Sequence, residues 1–136
     1  MKEDLTIWKP QGNEYDNLYV NSIEDAKEGL TIILEQENPN DSCIKIRFNS
    51  YFSYRNTNES FLLDKWHYYD RNLLSQSCLF VVENSDYISW IKKSALSIHD
   101  DLKVIHYAIF TDEDCLEILT NEEPSVKVID RQSINE

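Results

Sequence analysis

Glycine and proline are nearly missing from this chain of 136 residues, which has two of the first and three of the second. The two glycines, Gly12 and Gly29, stand too far apart to build a P-loop, a G-x-G-x-x-G turn or a G-x-S-x-G elbow, because each motif needs close-set glycines. Collagen-like, linker-like and low-complexity architectures are excluded on the same ground. No C-x-x-C occurs. Cys43, Cys78 and Cys115 are dispersed and odd in number, a poor disulfide framework. No run approaches the eighteen apolar residues of a membrane span. Met1-Lys2-Glu3-Asp4-Leu5 lacks the apolar stretch of a signal peptide, so a cytoplasmic protein with reduced thiols is expected.

Bases are scarce as well. There are 13 Lys+Arg against 25 Asp+Glu, a formal net charge of −12. Such a chain repels nucleic acid and anionic membrane unless a basic patch is segregated, so neither is expected as a partner. The charge is uneven. Residues 1–41 carry ten acids and three bases, residues 42–111 seven acids and eight bases, and residues 112–136 eight acids and two bases. A solvated surface explains part of this, and a face built to meet a basic partner explains the rest.

The apolar content is that of an ordinary globular domain. A chain of this length buries roughly 68–70% of its unfolded surface without metal or disulfide staples. A single domain over 1–136 is expected, with 1–17 and 131–136 its least defined parts. Pro10-Gln11-Gly12-Asn13 reads as a turn, with Trp8 plugging a core edge. Leu30-Thr31-Ile32-Ile33-Leu34 reads as a buried strand. After a turn at Asn38-Pro39-Asn40-Asp41, Cys43–Phe48 alternates, with Ile44, Ile46 and Phe48 on one face and Lys45 and Arg47 on the other. These two strands make an antiparallel hairpin, which Tyr51, Phe52 and Tyr54 extend. Phe61, Leu62, Trp66, Tyr69 and Leu73 recur at helical spacing within 57–74.

A second buried strand covers 78–82. Ser85 caps a helix over 86–96, whose stripe is Tyr87, Ile88, Ile91 and Ala95 with Trp90 on the flank. Residues 104–110 form the next strand. Thr111-Asp112-Glu113-Asp114 reads as the capped first turn of a short helix, with Cys115, Leu116 and Leu119 inward, ended by Pro124. Residues 125–129 close as an edge strand. The fold class is α+β (mixed α/β), with a single central, largely antiparallel sheet and about three helices. The expected core includes Ile33, Ile46, Phe80, Val81, Trp90, Ile105 and Ile109.

Candidate chemistry is sparse. His67, His99, His106 and the cysteines are not at metal-ligand spacing, so no metal and no cofactor is expected. His106, inside an apolar strand, reads as a hydrogen-bonded core residue. The cysteines read as small buried hydrophobes rather than nucleophiles. Asp112, Glu113, Asp114 and Glu117 read as a helix terminus with a solvated face rather than an acid–base pair. Arg47, Tyr51, Tyr54 and Arg55 interleave bases with aromatics as a single-strand platform does, but the flanking charge opposes it. Arg55 with Glu59 makes a simpler pair. Catalytic residues are therefore not expected.

The landmarks Ser53-Tyr54-Arg55-Asn56-Thr57-Asn58-Glu59, then Leu79-Phe80-Val81-Val82-Glu83-Asn84-Ser85 with Tyr87 and Trp90, then Ile105–Thr111 with Asp114, Ile118-Leu119-Thr120 and Glu123-Pro124, stand in a suggestive order. Over roughly residues 29–128 the chain resembles small bacterial immunity proteins found beside polymorphic toxins and contact-dependent growth inhibition systems. That resemblance implies a non-enzymatic protein that binds a cognate toxin domain, and an acidic chain suits a basic, nuclease-type toxin whose active site it occludes. It transfers no site. The alternative is a regulatory or structural protein-interaction module without a toxin. The contact residues expected from charge and aromatic clustering are Asp112, Glu113, Asp114, Glu117, Glu122 and Glu123, with Tyr51, Tyr54 and Tyr68.

Overall fold

The computed structural model describes residues 3–36 and 42–132. Among them, nine strands form two antiparallel sheets, and three helices pack beside one of the sheets. The α+β class is as expected, but there are two sheets rather than one central sheet. The turn expected at 38–41 lies outside the described residues.

The first sheet is a meander. β2 (Leu18–Ala26), β3 (Gly29–Gln36) and β4 (Ser42–Phe48) pair in sequence, and β9 (Ser125–Asp130) returns to the edge beside β4. The β2–β3 hairpin turns on Gly29, whose φ of +139° is disfavoured for an L side chain. A Cβ there would lie 2.3 Å from the Phe48 carbonyl oxygen. The alternation of β4 is as expected: Ile44, Ile46 and Phe48 are buried, and Lys45 and Arg47 lie on the other face.

The second sheet has the order β1 (Asp4–Ile7), β6 (Leu79–Glu83), β7 (Ile105–Phe110), β8 (Asp114–Thr120), β5 (Ser53–Asn58). The two sheets pack face to face. Leu30, Ile32 and Leu34 of β3 and Ile46 and Phe48 of β4 meet Leu79, Tyr107, Ile109, Leu116 and Ile118 of the second sheet. Trp8 closes this core, its ring 4.9 Å from that of Tyr107. The other face of the second sheet carries Phe80, Val82, Ala108, Phe110 and Cys115. Tyr69, Trp66, Leu73 and Leu74 cover it from α1 (Leu63–Tyr68), the following junction and α2 (Arg71–Gln76). Strands β7 and β8 are thus buried on both faces because both faces are covered.

Four expectations are corrected. Residues 51–54 do not extend the first hairpin, because β5 joins the other sheet beside β8. No helix spans 57–74. The strand runs to Asn58, a 3-10 turn covers Glu59–Phe61, and two six-residue helices follow. They are separated because Tyr69 is extended and the Asp70 side chain accepts from the Asn72 N–H at 2.8 Å, capping a new helix.

Residues 114–120 are a strand, not a helix. The cap hydrogen bonds do form, since Thr111 Oγ1 accepts from the Asp114 N–H at 3.0 Å. They close a tight turn, however, and the Thr111 N–H donates back to the Asp114 carbonyl at 2.9 Å. The same local bond serves helix cap and turn. Pairing with β7 on one side and β5 on the other decides between them.

Trp90 is not core. On α3 (Asp86–Ser94), capped by Ser85 as expected, Tyr87 is the buried residue, while Trp90 is 59% exposed. One turn along, on the flank of the inward face, its ring only leans on Tyr87, with centroids 6.0 Å apart.

Candidate partner-binding site

The six acids expected to act together are separated by β8. Asp112 and Glu113 are exposed in the turn before it, and Glu122 and Glu123 are exposed in the turn after it. Asp114 starts the strand, partly buried, accepting from Asn56 Nδ2 at 3.0 Å. Because β8 lies between them, these acids are two clusters rather than one face.

Glu117 is the clearest departure from a surface role. It is 1% exposed. Alternation along β8 points it toward the helical layer, where it gathers three cationic or proton-bearing groups. Arg55 Nε donates to its Oε1 at 2.9 Å, and Lys65 Nζ reaches its Oε2 at 3.4 Å. His106 Nε2 lies 2.8 Å from Oε2, although its N–H is not aligned as a hydrogen bond. Burial alone would push the Glu117 carboxyl up, but the His106 ring, the Arg55 guanidinium and the Lys65 ammonium outweigh it and hold it at about 2. The expected Arg55–Glu59 pair gives way to this one.

Behind His106, Nδ1 shares a hydrogen bond with Ser85 Oγ at 2.7 Å. Serine, histidine and carboxylate are also the residue types of a hydrolytic triad. Here they are enclosed and engaged with one another. His106 is fully buried, Ser85 is 5% exposed, and the Ser85 oxygen already accepts from the Ile88 N–H at 3.0 Å to cap α3. Tyr87 stands edge-on to His106 and carries the Arg55 guanidinium on its face at 4.0 Å. The cluster thereby clamps β5, α1 and α3 onto β7 and β8. The reading of His106 as a hydrogen-bonded core residue agrees with this.

The tyrosines are divided too. Tyr51 and Tyr54 meet edge-on at 5.0 Å. The Tyr51 hydroxyl donates to Asp25, and this hydrogen bond pushes the phenol up to about 12. Tyr68 is exposed on α1, edge-on to the buried Tyr69.

One cleft holds the best candidate site. A cleft of 560 Å³ opens where the segment leading into β2, the Glu59 turn, α2 and the β7–β8 turn converge. Three carboxylates line it: Asp16, Glu59 and Asp112. No Lys, Arg or His is among its lining residues, and Trp66, Phe110 and Leu74 give it an apolar floor. The Trp66 indole N–H is spent on the Glu59 carbonyl at 2.8 Å, which fixes the ring. The Cys78 thiol, which also lines the cleft, is pushed up by burial and then by the charges of Asp16 and Asp112. Both carboxylates therefore act on one point. Of this set only Asp112 was expected from the sequence. Asp16 and Glu59 were missed because nothing in their spacing, 43 and 53 residues from the next member, marks them as neighbours.

All three cysteines are free and buried. Among the described residues no group of three or more His, Cys, Asp or Glu side chains could hold a metal ion, and no helix is long and apolar enough to cross a membrane. Compared with known protein families, curated proteins and solved structures, the chain matches none.

Proposed function

We propose that this protein works by binding rather than by catalysis, as an immunity-type protein that captures a basic toxin domain and covers its active site. The observation that carries the reading is the 560 Å³ cleft with three carboxylates, no base and an aromatic floor. A lysine or arginine side chain suits that combination. Its charge meets Asp16, Glu59 and Asp112, and its stem lies on Trp66 and Phe110. The net charge of −12 adds long-range attraction for a basic partner. The resemblance of the landmark order to immunity proteins of polymorphic toxin systems points the same way.

Co-expression with basic, nuclease-type toxin domains is the test. Restored growth together with co-purification of a stoichiometric complex is expected. Continued killing, with the two proteins eluting separately, would leave the regulatory interaction module as the better reading.

A further inference from the structure

A sheet edge is an open row of backbone donors and acceptors, and proteins blunt such edges with short strands, bulges, prolines, lysines or a covering group. Four strands lie at edges here. β1 is only four residues long. β2 is broken by a bulge between Val20 and Ser22. On β9 the Gln11 side-chain amide donates to the Val126 carbonyl at 3.1 Å, and Lys127 stands mid-strand. β5 has none of these devices. Its six residues pair with β8 in unbroken register, and they include no proline and no lysine.

The backbone groups left over on β5 can be named from the register. The Glu59 N–H donates to the Glu113 carbonyl at 3.0 Å, one step beyond the pair Asn58 and Asp114. In an antiparallel ladder, opposed pairs that exchange hydrogen bonds alternate with pairs that do not. Arg55 and Thr57 therefore spend their backbone groups on β8, as Glu59 does. Tyr54, Asn56 and Asn58 turn theirs away from the sheet. Among the described residues no strand pairs with that side.

Charge along this edge is graded. Toward the Ser53 end, the Arg55 guanidinium is offset by Glu117. At the Asn58 end stand Glu59, Asp112, Glu113 and Asp114, and the ion pairs of the described residues engage none of them. Glu59 and Asp112 are also two of the three carboxylates of the acidic cleft. The bond from Glu59 to Glu113 ties the end of β5 to the turn that holds Asp112, so the open edge runs toward the cleft. The net charge of −12 favours a basic partner here and disfavours an acidic segment and a second copy of this chain alike.

We propose, on the reading of the cleft as a site for a basic protein, that the β5 edge binds an extended basic segment of that partner. The segment joins the five-stranded sheet as a further strand and carries lysines or arginines to the Asn58 end and the cleft. Main-chain hydrogen bonds to Tyr54, Asn56 and Asn58 supply affinity, and the carboxylates at one end fix how the segment lies.

The test uses the full chain and a capped synthetic heptapeptide alternating lysine with valine, followed by amide NMR. Shift changes are expected at Tyr54, Asn56 and Asn58 and at Asp112 in the cleft. Asn56→Pro removes an outward N–H that β8 does not use, a position at which an edge strand accommodates proline. It is expected to weaken binding at least about tenfold, whereas Asn56→Ala, which keeps that N–H, binds as wild type does. The same peptide with every backbone nitrogen methylated keeps its charge but loses its donors, and it is expected to lose the β5 shifts whether or not the proline variant folds. Shifts confined to the cleft, or equal binding of the methylated peptide, would overturn the strand pairing and leave the cleft reading standing. Equal binding of a peptide with glutamate in place of lysine would overturn both. Absence of any shift at millimolar peptide would overturn the proposal and leave the cleft reading to the co-expression test.

Discussion

Glu117 Oε1 lies 2.9 Å from Arg55 Nε, and this contact joins the two outermost strands on one side of the five-stranded sheet. With Lys65 and His106 on the other oxygen, the carboxylate is the hub of a buried charge cluster. Removing one partner from such a cluster leaves the others uncompensated. Glu117→Gln is expected to cost about 3 kcal/mol in urea unfolding at neutral pH. The pH dependence follows from the depressed carboxyl, about 2 in the folded state against an ordinary 4.5. Its contribution is complete above the ordinary value and is lost as pH falls through that window. Wild type should therefore lose stability from about pH 4.5 downward, and Glu117→Gln should lose less over the same range. Parallel curves would remove Glu117 from this role.

The exposure of Trp90 sets up a contrast with Phe80, which is fully buried. Phe80→Ala is expected to cost about 3–5 kcal/mol, and Trp90→Ala less than about 1 kcal/mol. Denaturant midpoints of the two variants check this. A loss at Trp90 comparable to that at Phe80 would mean that the indole is packed rather than presented.

Gly29→Ala is a backbone prediction. The φ of +139° and the 2.3 Å approach to the Phe48 carbonyl oxygen leave no room for a Cβ. A loss of at least about 1–3 kcal/mol is expected, read as a lowered denaturant midpoint with an unchanged slope.

The thiols should be inert in the native protein. Burial pushes all three up, Cys115 to about 12. Alkylation at mildly alkaline pH should be slow until denaturant opens the fold, and then three thiols should react together. One fast thiol in the folded state would point to a reactive cysteine, with Cys78 at the cleft the first to test.

What could be read in advance follows from where each signal resides. Ile44, Ile46 and Phe48 show their strand because one face is buried and the other is wet. Ser85 shows its cap because that bond is local. Thr111 misleads for the same reason, since its local bond closes a turn as well as it caps a helix, and pairing partners distant in sequence decide the outcome. Asn56–Asn58 gives no strand signal, because the polar end of an edge strand lacks the apolar alternation that marks a buried one, and Tyr54 signals a strand without showing which sheet it joins. Of the cleft only Asp112 was legible. Asp16, Glu59 and Asp112 become neighbours only after both sheets and α2 have assembled. Glu117 looked like one more surface acid because its compensating charges, Arg55 and Lys65, are more than fifty residues away.

Association kinetics test the role of the cleft most directly. The triple variant Asp16→Asn, Glu59→Gln, Asp112→Asn leaves the Glu117 cluster intact. Its rate of binding to a basic toxin domain that the wild type captures is to be measured against wild type across a range of ionic strength. Wild type is expected to slow steeply as salt rises. The variant should associate about tenfold more slowly at low salt, with a shallower salt dependence and a smaller change in dissociation. Superimposable rates and salt slopes for the two proteins would contradict capture through the acidic cleft.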